Sequence, residues 1–565
     1  MSRLIVCASL SLALSVSTLA ADKPNIVLIM ADDMGYTDIG CYGSEISTPV
    51  LDELAGGGVR FTQFYNTSRC CPTRASLLTG LYSHQAGVGL MTGDRGYDAY
   101  RGDLNRRCVT LAEALRPAGY RTYMSGKWHV TKHTRPNGDN RNWPLQRGFD
   151  RFYGTIIGAG SFYDPATLCR DNRFITPEND PEYQPSSFYY SDAISDNAAR
   201  YIGDHFGDAE NADKPFFTYV AYTSAHWPMH ALEQDIAKYK GKYDDGYEPI
   251  REARYQKAIE LGVLDKNWPM SPAAFDWDST KNKAWEIRCM EVYAAMVESM
   301  DRGIGRIVSE LRKHDALENT IIVYLQDNGG CAEGFGRRNN SDKKKPFEPL
   351  GKDGLQTKIW PPMQTRDGRW VRTGPEAMPG GEDTFVAYGG GWANTSNTPF
   401  RGYKHDGFEG GISTPFIVHW PGGIKSAQRG AVVDDAAHLI DVMPTFVEAA
   451  GASYPKTMGD HQIQPMEGVS LLPALSGQSI KRVAPLGFEH HGNLALRDGK
   501  WKIVSAYRNK QPTKWHLYDM ELDRTELTDL AMREPAKLAE LVMKWQMWAD
   551  RVGVRKWPFR NKPRK

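Results

Sequence analysis

Apolar residues in the first two thirds of this chain fall into short unbroken runs rather than alternating ones. Asn25-Ile-Val-Leu-Ile-Met30 is the first, bounded by polar residues on both sides. Such a run suits a strand buried on both faces, as in a parallel sheet. Similar strands are expected at Tyr120 to Met124, Phe216 to Ala221, Thr320 to Leu325 and Phe416 to Trp420. Between them the spacing predicts helices at Leu111 to Leu115, Trp285 to Leu311 and Ala436 to Ala450. Strands that alternate with helices make an α/β sheet covered on both faces.

The pattern changes after about Pro455, where a loop rich in Gly, Pro and Gln begins. Shorter strands follow near Leu494 to Leu496, Trp501 to Val504 and Trp515 to Tyr518, then a helix from about Glu534 to Trp548. The expected layout is a main domain over 21–455 and a small α+β domain over 456–565. Residues 340–383 form a Gly-, Pro- and Lys-rich insertion, a surface loop of the kind that often borders a substrate pocket. No internal repeat is visible.

Composition narrows the function classes. The 565 residues are 41% apolar, enough for a sizeable core, and Lys plus Arg (69) balance Asp plus Glu (68). That balance gives no electrostatic reason to expect nucleic acid or an acidic membrane as partner. The first 20 residues read as a cleavable export signal. Arg3 precedes an apolar run from Leu4 to Leu19, and Thr18-Leu19-Ala20 supplies the small residues of a cleavage site. The run is short for a membrane span of about 20 residues, so no membrane anchor is expected. A periplasmic or secreted protein is the expectation. Cys41, Cys71, Cys108, Cys169, Cys289 and Cys331 could then pair, though the sequence chooses no pairing and shows no zinc-type Cys-x-x-Cys.

Several strand ends carry candidate chemistry. Asp32-Asp33 close the first strand, and Asp327-Asn328 close the strand that ends at Leu325 before Gly329-Gly330. One Asp pair could be a turn or a cap. Two such ends in a parallel sheet converge on the crevice where ligands sit. Three carboxylates and an amide oxygen are hard ligands suited to calcium or magnesium. In Gly126-Lys127-Trp128-His129, Lys127 and His129 would face one site if the chain is extended. His226 follows another strand, with His230 nearby. Cys70-Cys71-Pro72-Thr73-Arg74-Ala75-Ser76-Leu77-Leu78-Thr79-Gly80 reads as a loop entering a helix, or as a thiolate near a helix start with an Arg four residues on.

That last string resembles the maturation signature of the formylglycine-dependent type I sulfatases, Cys-x-Pro-x-Arg followed by Leu-Leu-Thr-Gly. Thr73 stands where the family usually has Ser, and Cys71 beside the modified residue is unexplained by the pattern. Gly126-Lys127-x-His129, His226-x-Pro228, Arg401-Gly402-x-Lys404 and Glu409-Gly410-Gly411 are similar to further family segments. Asp441-Val-Met-Pro444-Thr445 and Leu517-Tyr518-Asp519 look like its closing helix and C-terminal strand. Asp523-Arg524 departs from the usual Asp-Pro. Gly391-Trp392-Ala393 is similar to the bacterial arylsulfatase branch. The resemblance implies an alkaline-phosphatase-like α/β/α sandwich with a large mixed sheet, plus a small C-terminal α+β domain.

It also implies roles. Cys70 would be oxidised to formylglycine by a maturation enzyme. One hydroxyl of the hydrated aldehyde would attack sulfur, and the other would later expel sulfate. Asp32, Asp33, residue 70, Asp327 and Asn328 would hold Ca2+, with Mg2+ as the other hard candidate, and Asp327 would be a general base. Arg74 would brace the formylglycine and Lys127 would contact sulfate. His129 would take a proton as sulfate leaves, His226 would protonate the departing alcohol, and Lys404 would bind sulfate from that side. The substrate would be a sulfated small molecule or saccharide. Two rivals stand beside this reading: a formylglycine-dependent phosphonate or phosphate ester hydrolase, and an unmatured protein that only binds sulfated glycans. Tyr97, Tyr100, Arg101 and Tyr163 lie in loops that could line the pocket. Oligomeric state is not legible.

Overall fold

The computed structural model describes residues 23–339 and 347–561. The expected export signal lies outside the described residues, as do residues 340–346 of the insertion. Strand β1 (Asn25–Ala31) sits at the centre of the large sheet. Around it lie β2 (Val59–Tyr65), β3 (Arg121–Gly126), β4 (Arg151–Thr155), β5 (Phe216–Ala221), β6 (Thr320–Gln326) and β7 (Ser413–His419). Their order is β2-β7-β6-β1-β5-β3-β4, with short strands at both edges. β1 runs parallel to β5 and β6, and β3 is parallel to β4 and β5. β7 is antiparallel to both β6 and β2, so the sheet is mixed rather than purely parallel.

Alternation along β1 explains its unbroken apolar run. Val27, Ile29 and Ala31 enter one core, while Ile26, Leu28 and Met30 enter the other. On the first face lie the long helices Tyr190–Gly207 and Lys283–Lys313. On the second lie α1 (Cys70–Thr79), the short helix Leu111–Leu115 and the helix Val442–Ala449. This is the α/β/α sandwich.

The small C-terminal sheet is an antiparallel meander of β8 (Leu486–His490), β9 (Asn493–Asp498), β10 (Trp501–Ser505) and β11 (His516–Asp519). Trp545 and Trp548 of the last helix, Pro535–Val552, cover it, and the same core takes in Tyr65, Tyr82 and Phe408 from the large domain. No helix among the described residues is long and apolar enough to cross a membrane.

Two expectations need correction. The helix expected from Ala436 begins only at Val442, because Ala437–His438 pairs with β2 and the Asp441 carboxylate accepts from the His438 and Val469 amides. The six cysteines do not pair: Cys41, Cys71, Cys108, Cys169, Cys289 and Cys331 are free and buried, split between the two faces of the sheet.

Candidate active site

β1 and β6 are hydrogen-bonded neighbours in register through Ala31 and Gln326, so Asp32-Asp33 and Asp327-Asn328 leave the sheet side by side. The Asp33 amide donates to Asp327 Oδ1 at 3.2 Å, and Asn328 Nδ2 donates to Asp33 Oδ1 at 2.7 Å. All four residues are buried. Glycines let the chains close in here: a Cβ on Gly329 would lie 1.8 Å from the Gly410 carbonyl oxygen, and one on Gly410 would lie 2.4 Å from that of Gly402.

Cys70 opens α1, whose ten residues are all buried, as a helix enclosed on every side requires. Thr73 fills the position where Ser was expected, and its hydroxyl ties the helix to β6 by donating to the Asp327 carbonyl at 2.7 Å. The Cys71 thiol stands beside that of Cys70 and also reaches Met91 Sδ at 3.4 Å. A hydrogen bond from Cys71, with Lys127, His129 and Arg69 close by, holds the Cys70 thiol well below its ordinary pKa despite burial.

Cations cross-link the carboxylates. Arg74 Nη2 lies 3.2 Å from Asp327 Oδ2 and 3.4 Å from Asp32 Oδ2, and Nη1 donates to the Lys127 carbonyl and the Tyr219 hydroxyl. Lys127 Nζ donates to Asp32 Oδ2. Lys404 Nζ donates to Asp33 Oδ2 at 2.8 Å and lies 3.5 Å from His226 Nε2. Lys127 and His129 do share one site, but not by extension: β3 ends at Gly126 and His129 takes a φ of +53°. His129 hydrogen-bonds Cys70, and burial pushes its pKa down to about 4. Burial also lowers the pKa of His226, whose Nδ1 lies 2.7 Å from the Trp227 carbonyl oxygen.

Burial and repulsion from Asp327 push Asp32 up to about 8. Burial alone would raise Asp33 as well, but Lys404 and His226 outweigh it. Asp32 Oδ1 and Asn328 Oδ1 have no hydrogen-bond partner although both are wholly buried. Orphaned hard oxygens at two adjacent strand ends fit a calcium- or magnesium-type ion, and their chemistry does not suit zinc.

Sequence reasoning missed Glu333. Its carboxylate accepts from Lys404 Nζ at 3.2 Å, Arg69 Nη1 at 3.0 Å and the Trp227 indole at 3.0 Å. It therefore joins Lys404 to the loop that carries His226. Nothing in its spacing marks it, two residues beyond Cys331. Tyr219 was also missed, as one more apolar-looking position of β5. None of the four loop residues offered as pocket lining borders the two openings described below. Tyr100 is buried against His84 and Phe559, the Tyr163 hydroxyl bonds the Ala231 and Gly380 carbonyls, Tyr97 packs on Phe559, and Arg101 pairs with Asp98. His230 is structural, between the Phe162 amide and the Thr384 carbonyl.

Two openings flank the site. One, of about 550 Å³, is lined by Glu333, Arg401, Lys404, His405, Asp406 and Arg508. The other, of about 560 Å³, lies against Phe335, Trp360, Trp370 and Phe385, partly on the insertion. A row of rings leads to it from beside His226, with Trp227 and Phe335 centroids 4.7 Å apart and Phe335 and Trp360 stacked at 6.4 Å.

Residues 24–452 match the sulfatase family model, and residues 404–551 match the C-terminal model of N-sulphoglucosamine sulphohydrolase. An uncharacterized sulfatase of Schizosaccharomyces pombe is 33% identical, covering 94% of each chain. The arylsulfatase of Klebsiella aerogenes is 31% identical over 83% of this chain and 96% of its own. The crystal structure of Ps i-CgsB bound to k-i-k-neocarrahexaose superposes with a TM-score of 0.63 at 24% identity, over 96% of this chain and 95% of that one, and so shares the fold. With matches along nearly its whole length and an alkaline-phosphatase-like fold, the chain belongs to the sulfatase family and is a sulfuric ester hydrolase.

Proposed function

We propose that this sulfatase cleaves aryl or carbohydrate sulfate esters with a formylglycine made from Cys70 and a Ca2+ ion held by Asp32, Asp33, residue 70, Asp327 and Asn328. The observation that carries the reading is the pair of buried, unpartnered oxygens, Asp32 Oδ1 and Asn328 Oδ1, beside a cysteine at a helix start. When present, the formylglycine supplies a hydrated aldehyde as nucleophile, and the cation supplies charge that the three carboxylates lack.

The chain's own residues do the rest. Arg74, wholly buried beneath residue 70, fixes that side chain and offsets Asp32 and Asp327. Lys127 and Lys404 reach the carboxylates from two sides, and both ammonium groups would turn toward the sulfate oxygens once a cation takes up Asp32 and Asp33. Asp327 would accept the proton of the attacking hydroxyl. His226 would donate a proton to the departing alcohol, and His129, held neutral by burial, would accept one as sulfate leaves. The row Trp227, Phe335, Trp360 offers flat faces for an aryl or sugar ring. This suits the activity that the Klebsiella relative's name states.

Export to the periplasm or medium, and a formylglycine-generating enzyme as maturation partner, complete the proposal. Peptide mass of natively produced, active enzyme tests it. The peptide bearing residue 70 is expected about 18 Da lighter than its thiol form. An intact thiol in fully active enzyme would sink the reading. Parallel rates on a sulfate ester and a phosphonate ester test the phosphonate rival, and the sulfate ester is expected to be the faster by far.

A further inference from the structure

A second cluster of ligand-type side chains stands at the rim of the site. His405 follows Lys404 directly, and His490 and His491 form the turn that joins β8 to β9 of the small domain. His405 stacks with both other rings, at centroid distances of 5.2 Å to His490 and 5.5 Å to His491, while His490 and His491 are tilted by 33° at 4.3 Å. One nitrogen of each ring can be chosen so that all three lie within 4.8 Å of one another.

The hydrogen bonding of these rings is incomplete in an unusual way. His490 is 2% exposed, yet neither of its ring nitrogens has a partner. His405 Nδ1 is also without one. A neutral imidazole carries one N–H and one lone pair, and burial penalises each when it is unmet. The other nitrogen of His405, Nε2, lies 3.2 Å from Glu333 Oε1. A carboxylate that accepts from one imidazole nitrogen leaves the lone pair of the other free, which is the outer-shell arrangement of metal-bound histidines. Arg69 Nη1 lies 3.0 Å from the same Nε2 and can only donate, so Nδ1 is free as a ligand in the tautomer in which Nε2–H faces Glu333 and Arg69 is held by Glu333 at 3.0 Å. Burial lowers the pKa of His405 and His490 and pushes His491 down to about 4, so all three rings hold the neutral, ligand-competent form at neutral pH.

We propose that His405, His490 and His491 form a second metal site, for a borderline divalent ion of the Zn2+ type, at the rim of the sulfate-ester site. Three imidazoles and no carboxylate in the inner set select Zn2+, Co2+, Ni2+ or Cu2+ over the Ca2+ that the oxygen-rich strand ends favour. Zn–N bonds of about 2.0–2.1 Å require nitrogens about 3.3 Å apart with their in-plane lone pairs converging, so binding would turn His405 out of its stack and draw in nitrogens now within 4.8 Å of one another. The site would clasp the β8–β9 turn of the small domain to the loop that bears Lys404, and it leaves a coordination position open toward water or a substrate oxygen.

The test uses the full-length protein, stripped with chelator and then saturated with Ca2+ so that the strand-end site is filled. Co2+ titration followed by visible absorption, and Zn2+ titration by calorimetry, are expected to show one equivalent. H490F keeps a flat ring in the stack while removing both nitrogens, and H491A removes a second ligand. Each is expected to weaken Co2+ binding at least 100-fold, and Glu333→Gln about 10- to 100-fold. Zn2+ should raise the Tm of the parent protein and leave that of H490F unmoved. Absence of a Co2+ band, or undiminished binding in H490F, overturns the proposal. So does a variant whose sole defect is a raised KM, because the rings would then be a platform for the substrate. Peptide mass at residue 70 reads the catalytic proposal independently, so either can fail without the other.

Discussion

Two clusters of buried charge sit within this molecule, and they differ in one respect. At the domain junction, Glu409 Oε1 accepts from Lys502 Nζ at 2.6 Å, while its Oε2 accepts from Arg524 at 3.0 Å and from the Tyr65 hydroxyl at 3.2 Å. Lys502 also pairs with Glu526 at 2.8 Å. Glu409 is thereby held below its ordinary pKa despite full burial, by Lys502 and then Arg524. At the strand ends, Asp32 is equally buried, but one of its oxygens has no partner and its pKa is pushed up to about 8. The first cluster joins two domains and faces every carboxylate with a cation: Glu526 Oε1 and Arg524 Nη1 lack hydrogen bonds, yet Glu526 Oε1 lies 2.8 Å from the Lys502 ammonium. The second is open, with oxygens and lysines held ready for something not encoded in the chain. Neither burial of charge nor a single unmet hydrogen bond marks a site; hard oxygens left unmet together at two adjacent strand ends do.

The sharpest way to break this contrast is Cys70→Ala. The thiol contributes little packing, so the variant should fold with an unchanged melting profile. Its kcat/KM should fall on the order of 10⁴-fold or more, since no neighbour can replace the nucleophile. Sulfatase activity that survived in it would remove the chemical basis of the open cluster.

The junction cluster should answer in the opposite way. Lys502→Met leaves Glu409 and Glu526 buried beside each other with one fewer cation. Stability should drop by about 3–5 kcal/mol, because a buried charge is left unpaired. The fraction that remains folded should turn over at the parent rate. Denaturant midpoints and active-site-normalised rates separate the two effects. A stable Lys502→Met with impaired kcat would show that the junction takes part in the chemistry.

These differences bear on what the sequence could tell. Asp32-Asp33 and Asp327-Asn328 were legible because each pair ends an unbroken apolar run, and the Cys70 string because seven of its residues are fixed by one local helix. Glu333 was not legible. It acts through Arg69, Lys404 and Trp227, which are distant in sequence and meet only in the fold. The helix Tyr190–Gly207 was legible and went unread: Tyr190, Ile194, Tyr201 and Ile202 recur at helical spacing on its buried face, diluted by Ser191, Ser195 and Asn197. β8 escaped notice because Gly487 interrupts it. That glycine is required, since a Cβ there would lie 2.2 Å from the Trp548 indole. The Lys127 and His129 pairing was foreseen for the wrong reason, as a turn rather than a strand brings them together.

Metal removal probes the open cluster more gently than Cys70→Ala. A cation that binds only the folded chain stabilises it by about 2.7 kcal/mol at one hundred times its Kd. Chelation should therefore lower Tm, and Ca2+ should restore both Tm and activity. In Lys502→Met the same Ca2+-dependent increment should persist, because the junction contributes no residue to the strand-end oxygens. Full activity in a demonstrably metal-free sample would refute the metal role.

The smallest effect concerns two histidines that burial pushes to the same value. His129 and His230 are both held at about 4, but His129 Nδ1 lacks a partner while both nitrogens of His230 are engaged. In the unfolded chain each returns to about 6.5. Between pH 6.5 and 4 the unfolded state takes up a proton that the native state refuses. Stability therefore falls with acidification, by up to about 1.4 kcal/mol per pH unit for each such ring. His230→Gln keeps an acceptor for the Phe162 amide and a donor for the Thr384 carbonyl, and it removes the titration. The slope of stability against pH between 6.5 and 4 should become shallower by close to one proton, with activity at neutral pH unchanged. An unaltered slope would mean that His230 is charged in the native state, and a closed hydrogen-bond set would then no longer distinguish a structural ring from a working one.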